Sequence, residues 1–137
     1  MLRRLAFLVV AIGTLASPAF AQQCLHGNAE TPEQAARRKE ALQVTRTVNN
    51  LEANQPGARS GKFLAQQELM SSPFAANSQT AKSLNFALDS DVTPGWQLTL
   101  SLTSDGYWFM VKDKTDPCGF AYISNQNGVI FNSEPIR

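Results

Sequence analysis

Residues 96–131 restrict the fold more than any other part of this chain: WQLTLSLTSDGYWFMVKDKTDPCGFAYISNQNGVIF. Trp96, Leu98, Leu100 and Leu102 alternate with Gln97, Thr99, Ser101 and Thr103, the period of a strand with one buried face. Asp105-Gly106 follows, a dipeptide that tolerates the positive φ angles of a two-residue type I′ turn. That turn predicts a register of Leu102 opposite Phe109, Leu100 opposite Val111, Ser101 opposite Met110 and Thr103 opposite Trp108. Opposed residues share a face, so the apolar pairs fall together on one face and the mixed pairs on the other. A second hairpin is expected over 120–132, turning through Asn125-Gln126-Asn127-Gly128. A two-residue Asn127-Gly128 turn would set Ile123 against Asn132. A four-residue loop is preferred, because it sets Ile123 against Ile130 and Tyr122 against Phe131.

The beginning of the chain has a different character. Arg3-Arg4 precedes an apolar run from Leu5 to about Leu15, and Ala19-Phe20-Ala21 forms a small-x-small site. Residues 1–21 therefore read as a cleavable signal peptide, and 22–137 as a single domain exported to a periplasmic or extracellular space. The apolar run is too short to cross a bilayer, and Cys24 follows Gln23 rather than the small residue a lipoprotein requires. Losing Arg3 and Arg4 takes the formal charge from +1 to about −1. No basic excess is left to neutralise phosphates, which argues against nucleic acid as a partner. Export also keeps thiols oxidised, so the two cysteines, Cys24 and Cys118, are expected to form one disulfide. The loop it closes, about 94 residues, corresponds to roughly 4–5 kcal/mol in the chain-entropy model.

Thr31-Pro32-Glu33-Gln34 is a helix start with threonine as N-cap, proline in the first turn and glutamine three residues on. The helix is expected to run to about Asn54 and stop at Pro56-Gly57, with Ala41, Val44, Val48 and Leu51 as its apolar stripe. So narrow a stripe is marginal alone and must dock on something, and the leucine face of the hairpins is available. Ser60 is expected to cap a short helix through Phe63, Leu64, Gln67 and Leu69. Residues 70–80 read as surface loop, Leu84, Phe86 and Leu88 as an additional strand, and Thr93-Pro94-Gly95 as a turn. The fold class is then α+β, a long N-terminal helix packed on a four- to five-stranded antiparallel sheet.

This layout resembles the globular head of type IV pilins and of the pseudopilins of type II secretion. The local echoes are Arg46-Thr47-Val48-Asn49-Asn50 in the helix, Asp116-Pro117-Cys118-Gly119 at the cysteine, and Asn127-Gly128-Val129-Ile130 after it. Pilins carry a processed glycine followed by a long apolar helix, whereas Gly13 here precedes Thr14-Leu15-Ala16-Ser17-Pro18. The resemblance thus implies a soluble pilin-like module, with an envelope or secretion-system protein as its partner.

Catalytic and cofactor signatures are missing from the sequence. His26 is the sole histidine and is expected to be an exposed residue near the new N-terminus. A serine triad would need it as base, and no Gly-x-Ser-x-Gly elbow occurs. Asp89 with Asp91, and Asp113 with Asp116, could lend oxygens to calcium or serve a small secreted hydrolase or lyase, but turns favour aspartate in any case. Arg37-Arg38-Lys39 reads as a solvated helix face. The second face of the first hairpin is more informative. Trp108 and Met110 project there beside Thr99, Ser101 and Thr103, a candidate partner surface for a binding, inhibitor or carrier protein unless 70–88 folds over it.

Overall fold

A computed structural model describes residues 24–27 and 30–133, so the segment read as a signal peptide lies outside the described residues. Helix α1 spans Pro32–Ala53 and has the expected start. The Gln34 N–H donates to Thr31 Oγ1 at 3.2 Å while Gln34 Oε1 accepts from the Thr31 N–H at 2.8 Å, satisfying two N–H groups that the first turn leaves free. The helix ends at Asn54, whose N–H bonds to the Asn50 carbonyl two residues before Pro56.

Five strands follow: β1 (Asp91–Thr93), β2 (Trp96–Leu102), β3 (Tyr107–Asp113), β4 (Ala121–Asn125) and β5 (Phe131–Ser133). They form one antiparallel sheet in sequence order, each strand beside its successor. The protein is therefore α+β, with helices and a five-stranded antiparallel sheet. Ala41, Val44, Val48 and Leu51 of α1 belong to the same buried cluster as Trp96, Leu98, Phe109, Val111 and Tyr122 of the sheet. Asn49 of α1 adds a polar bond to this seam, its Nδ2 donating to Ser124 Oγ at 3.0 Å.

Both hairpin registers differ from expectation. In the first, Leu98 faces Val111, Leu100 faces Phe109, Leu102 faces Tyr107 and Ser101 faces Trp108. The turn residues are Ser104-Asp105, closed by the Thr103 N–H donating to the Gly106 carbonyl at 2.9 Å. Gly106 has no positive φ. Its missing Cβ instead leaves room for Gln126, whose side chain comes within 2.6 Å of where that atom would be. A shift of two residues keeps every side chain on its face, and it lengthens the ladder to seven pairs, Trp96 opposite Asp113 being the last.

In the second hairpin Ile123 faces Phe131 and Tyr122 faces Asn132, one residue away from the four-residue pairing. The Gly128 N–H bonds to the Asn125 carbonyl at 2.8 Å and Gly128 sits at φ 71°. This is the three-residue loop in which a turn is followed by a left-handed glycine.

The connector departs from expectation too. Two 3-10 turns, Ala58–Ser60 and Gln66–Ser71, replace the short helix capped by Ser60. The segment read as loop contains α2 (Pro73–Asn77) and α3 (Gln79–Lys82), the latter capped by Ser78 Oγ accepting from the Ala81 N–H. The alternation of Leu84, Phe86 and Leu88 does not produce a strand. Phe86 is buried and Leu84 half-buried against the core, Leu88 is 54% exposed, and Asp89 at φ 57° breaks the extended run before β1. Gln66 is buried beside β2, where Leu100 has no strand neighbour on the outer side. Its Oε1 accepts from the Leu100 N–H at 3.2 Å and its Nε2 donates to the Ala87 carbonyl at 3.4 Å.

Leu51 is fully buried, and its carbonyl accepts from Ser72 Oγ at 2.7 Å, joining helix, connector and sheet. Leu51→Ala is expected to lower the unfolding free energy in urea by about 2–5 kcal/mol. Leu88→Ala at its exposed site should stay within ~0.5 kcal/mol of the parent.

Candidate functional site

Two places concentrate unusual side chains: the sheet face turned away from the core, and a buried charge cluster under the N-terminal segment. On the outer face, alternate positions of successive strands fall into rows. Ser101, Trp108 and Asn125 make one row, and Thr99, Met110, Ile123 and Phe131 the next. Trp108 is 42% exposed and Phe131 58% exposed. Thr99 and Thr103 are exposed, while Ser101, Met110 and Ile123 are half-buried. Of the expected grouping, Trp108, Met110, Thr99 and Ser101 fall on one face, while Thr103 lies past the end of β2 in the turn. Sequence reasoning missed Ile123, because it assigned no register between β3 and β4, and Phe131, because the four-residue loop set it opposite Tyr122. The signal was the Asn-Gly pair at 127–128, which fits a three-residue loop as well as a longer one.

Among the described residues the connector's large apolar side chains are directed mostly to the core. Phe63 meets Tyr107 edge-on at 4.8 Å, and Leu64, Phe74 and Leu84 pack against the inner core. Lys112 is the only ionisable residue among the outward positions of β2–β5. The face is thus nearly uncharged, with an apolar centre and hydroxyl and amide groups at its margin.

The second place begins with the disulfide, which joins Cys24 to Cys118 as expected. Two residues on, His26 is not exposed but buried. Its Nδ1 lies 2.7 Å from Glu30 Oε1 and its Nε2 lies 2.9 Å from Asp113 Oδ2. A ring flanked by two ionised carboxylates makes both bonds only when both of its nitrogens carry hydrogen. Phe120 and Trp96 lie against the imidazole at centroid distances of 4.7 and 5.7 Å. This burial was not legible beforehand, because a lone histidine outside any helix or strand pattern has no periodic neighbours to define a face.

Asp113 belongs to the end of β3 rather than to a turn, and its side chain is fully buried. Burial acts to raise its pKa. The Thr115 hydroxyl, the His26 ring, the Thr115 N–H and the Arg37 charge outweigh that and hold it below the ordinary value of 3.8. Glu30 is likewise held below 4.5, first by the Arg38 hydrogen bond. Arg38 meets it with Nε at 2.9 Å and Nη2 at 2.9 Å, the fork geometry of a strong ion pair. Arg37 and Arg38 are therefore engaged within the protein instead of forming a solvated face. Arg37 Nη2 donates to Asp113 Oδ1 at 3.3 Å, and the guanidinium stands 6.0 Å from the Trp96 ring centroid.

Asp116 is equally occupied: its carboxylate accepts from the N–H groups of Leu25, Cys118 and Phe120. Asp91 accepts from Lys114 Nζ at 2.6 Å and from the Gly95 N–H, and Asp89 is exposed in its left-handed turn. Among the described residues no group of three His, Cys, Asp or Glu side chains is placed to hold a metal ion. With His26 and Asp113 shut away from solvent, neither can exchange a proton with a dissolved substrate while the N-terminal segment is seated.

A third buried acid, Glu52, has no such support. Its Oε2 accepts from the Leu64 N–H at 3.0 Å, and its Oε1 has no partner among the described residues. Burial pushes its pKa up to about 7. Burial, followed by the charge of Glu52, also pushes Tyr107 up to about 12.

No family model, curated protein or solved structure matches this chain. Among the described residues no helix is long and apolar enough to cross a membrane.

Asp113→Ala is expected to cost about 3–5 kcal/mol in urea unfolding at pH 7, because His26 and Arg37 would lose their shared counter-charge. A depressed folded pKa gives stability that is complete above the unfolded value of 3.8 and is lost as pH falls through the folded value. The difference between variant and parent should accordingly shrink in acid. Loss of an activity without loss of stability would instead mark Asp113 as a chemical group. Glu52 has the opposite sign: its folded pKa is raised, so stability present below pH 4.5 is lost as pH rises through about 7. Glu52→Gln should flatten the stability profile across that window and, at pH 8, unfold later in urea than the parent.

Proposed function

We propose that this chain is an exported, non-enzymatic binding or assembly module. Its contact surface is the outer face of the sheet, and its partner is a protein presenting an uncharged apolar strip. The observation that carries this reading is the line of Trp108, Met110, Ile123 and Phe131 across strands β3, β4 and β5, open to solvent at both ends. An aromatic and methionine-containing centre inside a polar margin is the composition of protein interfaces rather than of ordinary surface. The lack of charge apart from Lys112 disfavours a polyanion.

Export is supported by the disulfide, which persists in oxidising compartments, and by the leader-like 1–21 sequence. In this reading α1 is the long N-terminal helix lying on the sheet, and the module is the soluble counterpart of a pilin-like head. Its partner would then be an envelope or secretion-system protein.

The test compares cross-linked capture from the envelope fraction by the parent and by a Trp108→Ala, Phe131→Ala variant. Both sites are exposed, so the variant should keep the parent's urea midpoint while a defined partner band falls at least tenfold, as truncation of interface anchors does. Equal capture by both proteins would remove the outer face from consideration. Dimerisation lost in the variant would make a second copy of this chain the partner.

A further inference from the structure

His26 occupies its surroundings in the manner of a bound ligand. The imidazole is seated against Trp96 and Phe120, with one nitrogen on Glu30 and the other on Asp113. Each wall has a support that does not depend on the ring. Asp113 is held by Arg37 and by the N–H and hydroxyl of Thr115. Glu30 is gripped by both edges of the Arg38 fork. Trp96 and Phe120 meet edge-to-face at 6.3 Å, and Arg37 covers the Trp96 ring. The ring itself arrives on the short segment 24–27, whose other fastenings among the described residues include the Leu25 N–H on Asp116, the Gly27 carbonyl accepting from the Glu30 N–H, and the Cys24–Cys118 bond. Both cysteines are partly exposed, within reach of a small thiol.

We propose that Trp96, Phe120, Asp113 and Glu30 form a preformed binding pocket for a planar nitrogen heterocycle of the imidazolium class, that His26 fills it as an internal ligand, and that the Cys24–Cys118 disulfide locks it closed. A dithiol opens the lock: it gives up two electrons and two protons, the sulfur–sulfur bond becomes two thiols, and the dithiol closes to its own disulfide. Segment 24–27 then holds only by its hydrogen bonds and ion pairs, and a dissolved heterocycle competes with His26 for the same walls. Recognition is by two opposed N–H donors between carboxylates and by cation contact with the indole face. A ring with one blocked nitrogen loses one of the two bonds.

His26→Gly tests the pocket directly, with imidazole as the probe and 1-methylimidazole as the control. Imidazole is expected to raise the melting temperature of the variant in a saturable way, to leave the oxidised parent unchanged, and to exceed 1-methylimidazole at least tenfold in affinity. An unresponsive variant, an unfolded one that imidazole does not restore, or equal effects of the two probes would overturn the pocket.

The lock is tested in a Trp108→Phe background, where Trp96 is the sole tryptophan. Reduction by dithiothreitol, or Cys24→Ser with Cys118→Ser, should increase acrylamide quenching of Trp96 while the far-ultraviolet circular dichroism is retained. Unchanged quenching with both thiols titrating free would refute the lock, and so would loss of the secondary-structure signal.

Discussion

Four separate parts of the chain converge on the carboxylate end of β3. The Asp113 side chain takes His26 from the N-terminal segment, Arg37 from α1 and Thr115 from the following turn, while its N–H reaches the Phe120 carbonyl ahead of β4. A buried carboxylate is costly unless each oxygen is used. Here both are used, by groups that no other single residue would bring together. The arrangement ties Arg37 of α1 to the end of β3, and the disulfide places the Cys118 turn beside the segment that carries Cys24. Covalent bond and ion cluster thus close the same corner of the molecule by independent means.

The contrast between the two faces of the sheet follows from this closure. On one side Trp96, Phe109 and Val111 are buried in one cluster with Val48, Leu51 and Leu69. On the other, among the described residues, there is no covering layer, although the strands continue to present Trp108 and Phe131. A sheet with one solvated face ordinarily shows polar residues there. The apolar diagonal breaks that rule, and such local inconsistency is where function tends to reside.

The α+β class, the helix from Pro32 to Ala53, strands β2–β4 and the cysteine pairing were all legible in the sequence. Each rests on a signal contained in a few neighbouring residues: a capping box, an alternation, a pair of thiols. The errors have a common cause as well. Alternation defines faces but is blind to register shifts of two, so the first hairpin had the right faces and the wrong partners. In the observed register Gln126, distant in sequence, lies over Gly106. The short helices α2 and α3 carry too few residues for periodicity to show. The His26 cluster was invisible because its members come from positions 26, 30, 37, 38 and 113, and no local pattern announces an ion pair 87 residues apart. The outer face was half legible: Trp108 and Met110 lie on one strand pair, whereas Phe131 needed the correct loop length.

Gln66 has a bearing on how copies of this protein meet one another. Its amide presents an oxygen to the Leu100 N–H and a nitrogen to the Ala87 carbonyl, the same pair of functions that a peptide group in a neighbouring strand would supply. A margin already saturated by such a peptide mimic cannot template an incoming extended chain. Growth by strand addition is thereby disfavoured at this margin. The exposed outer face and this closed rim are therefore separate features of one sheet, and only the rim bears on fibril growth.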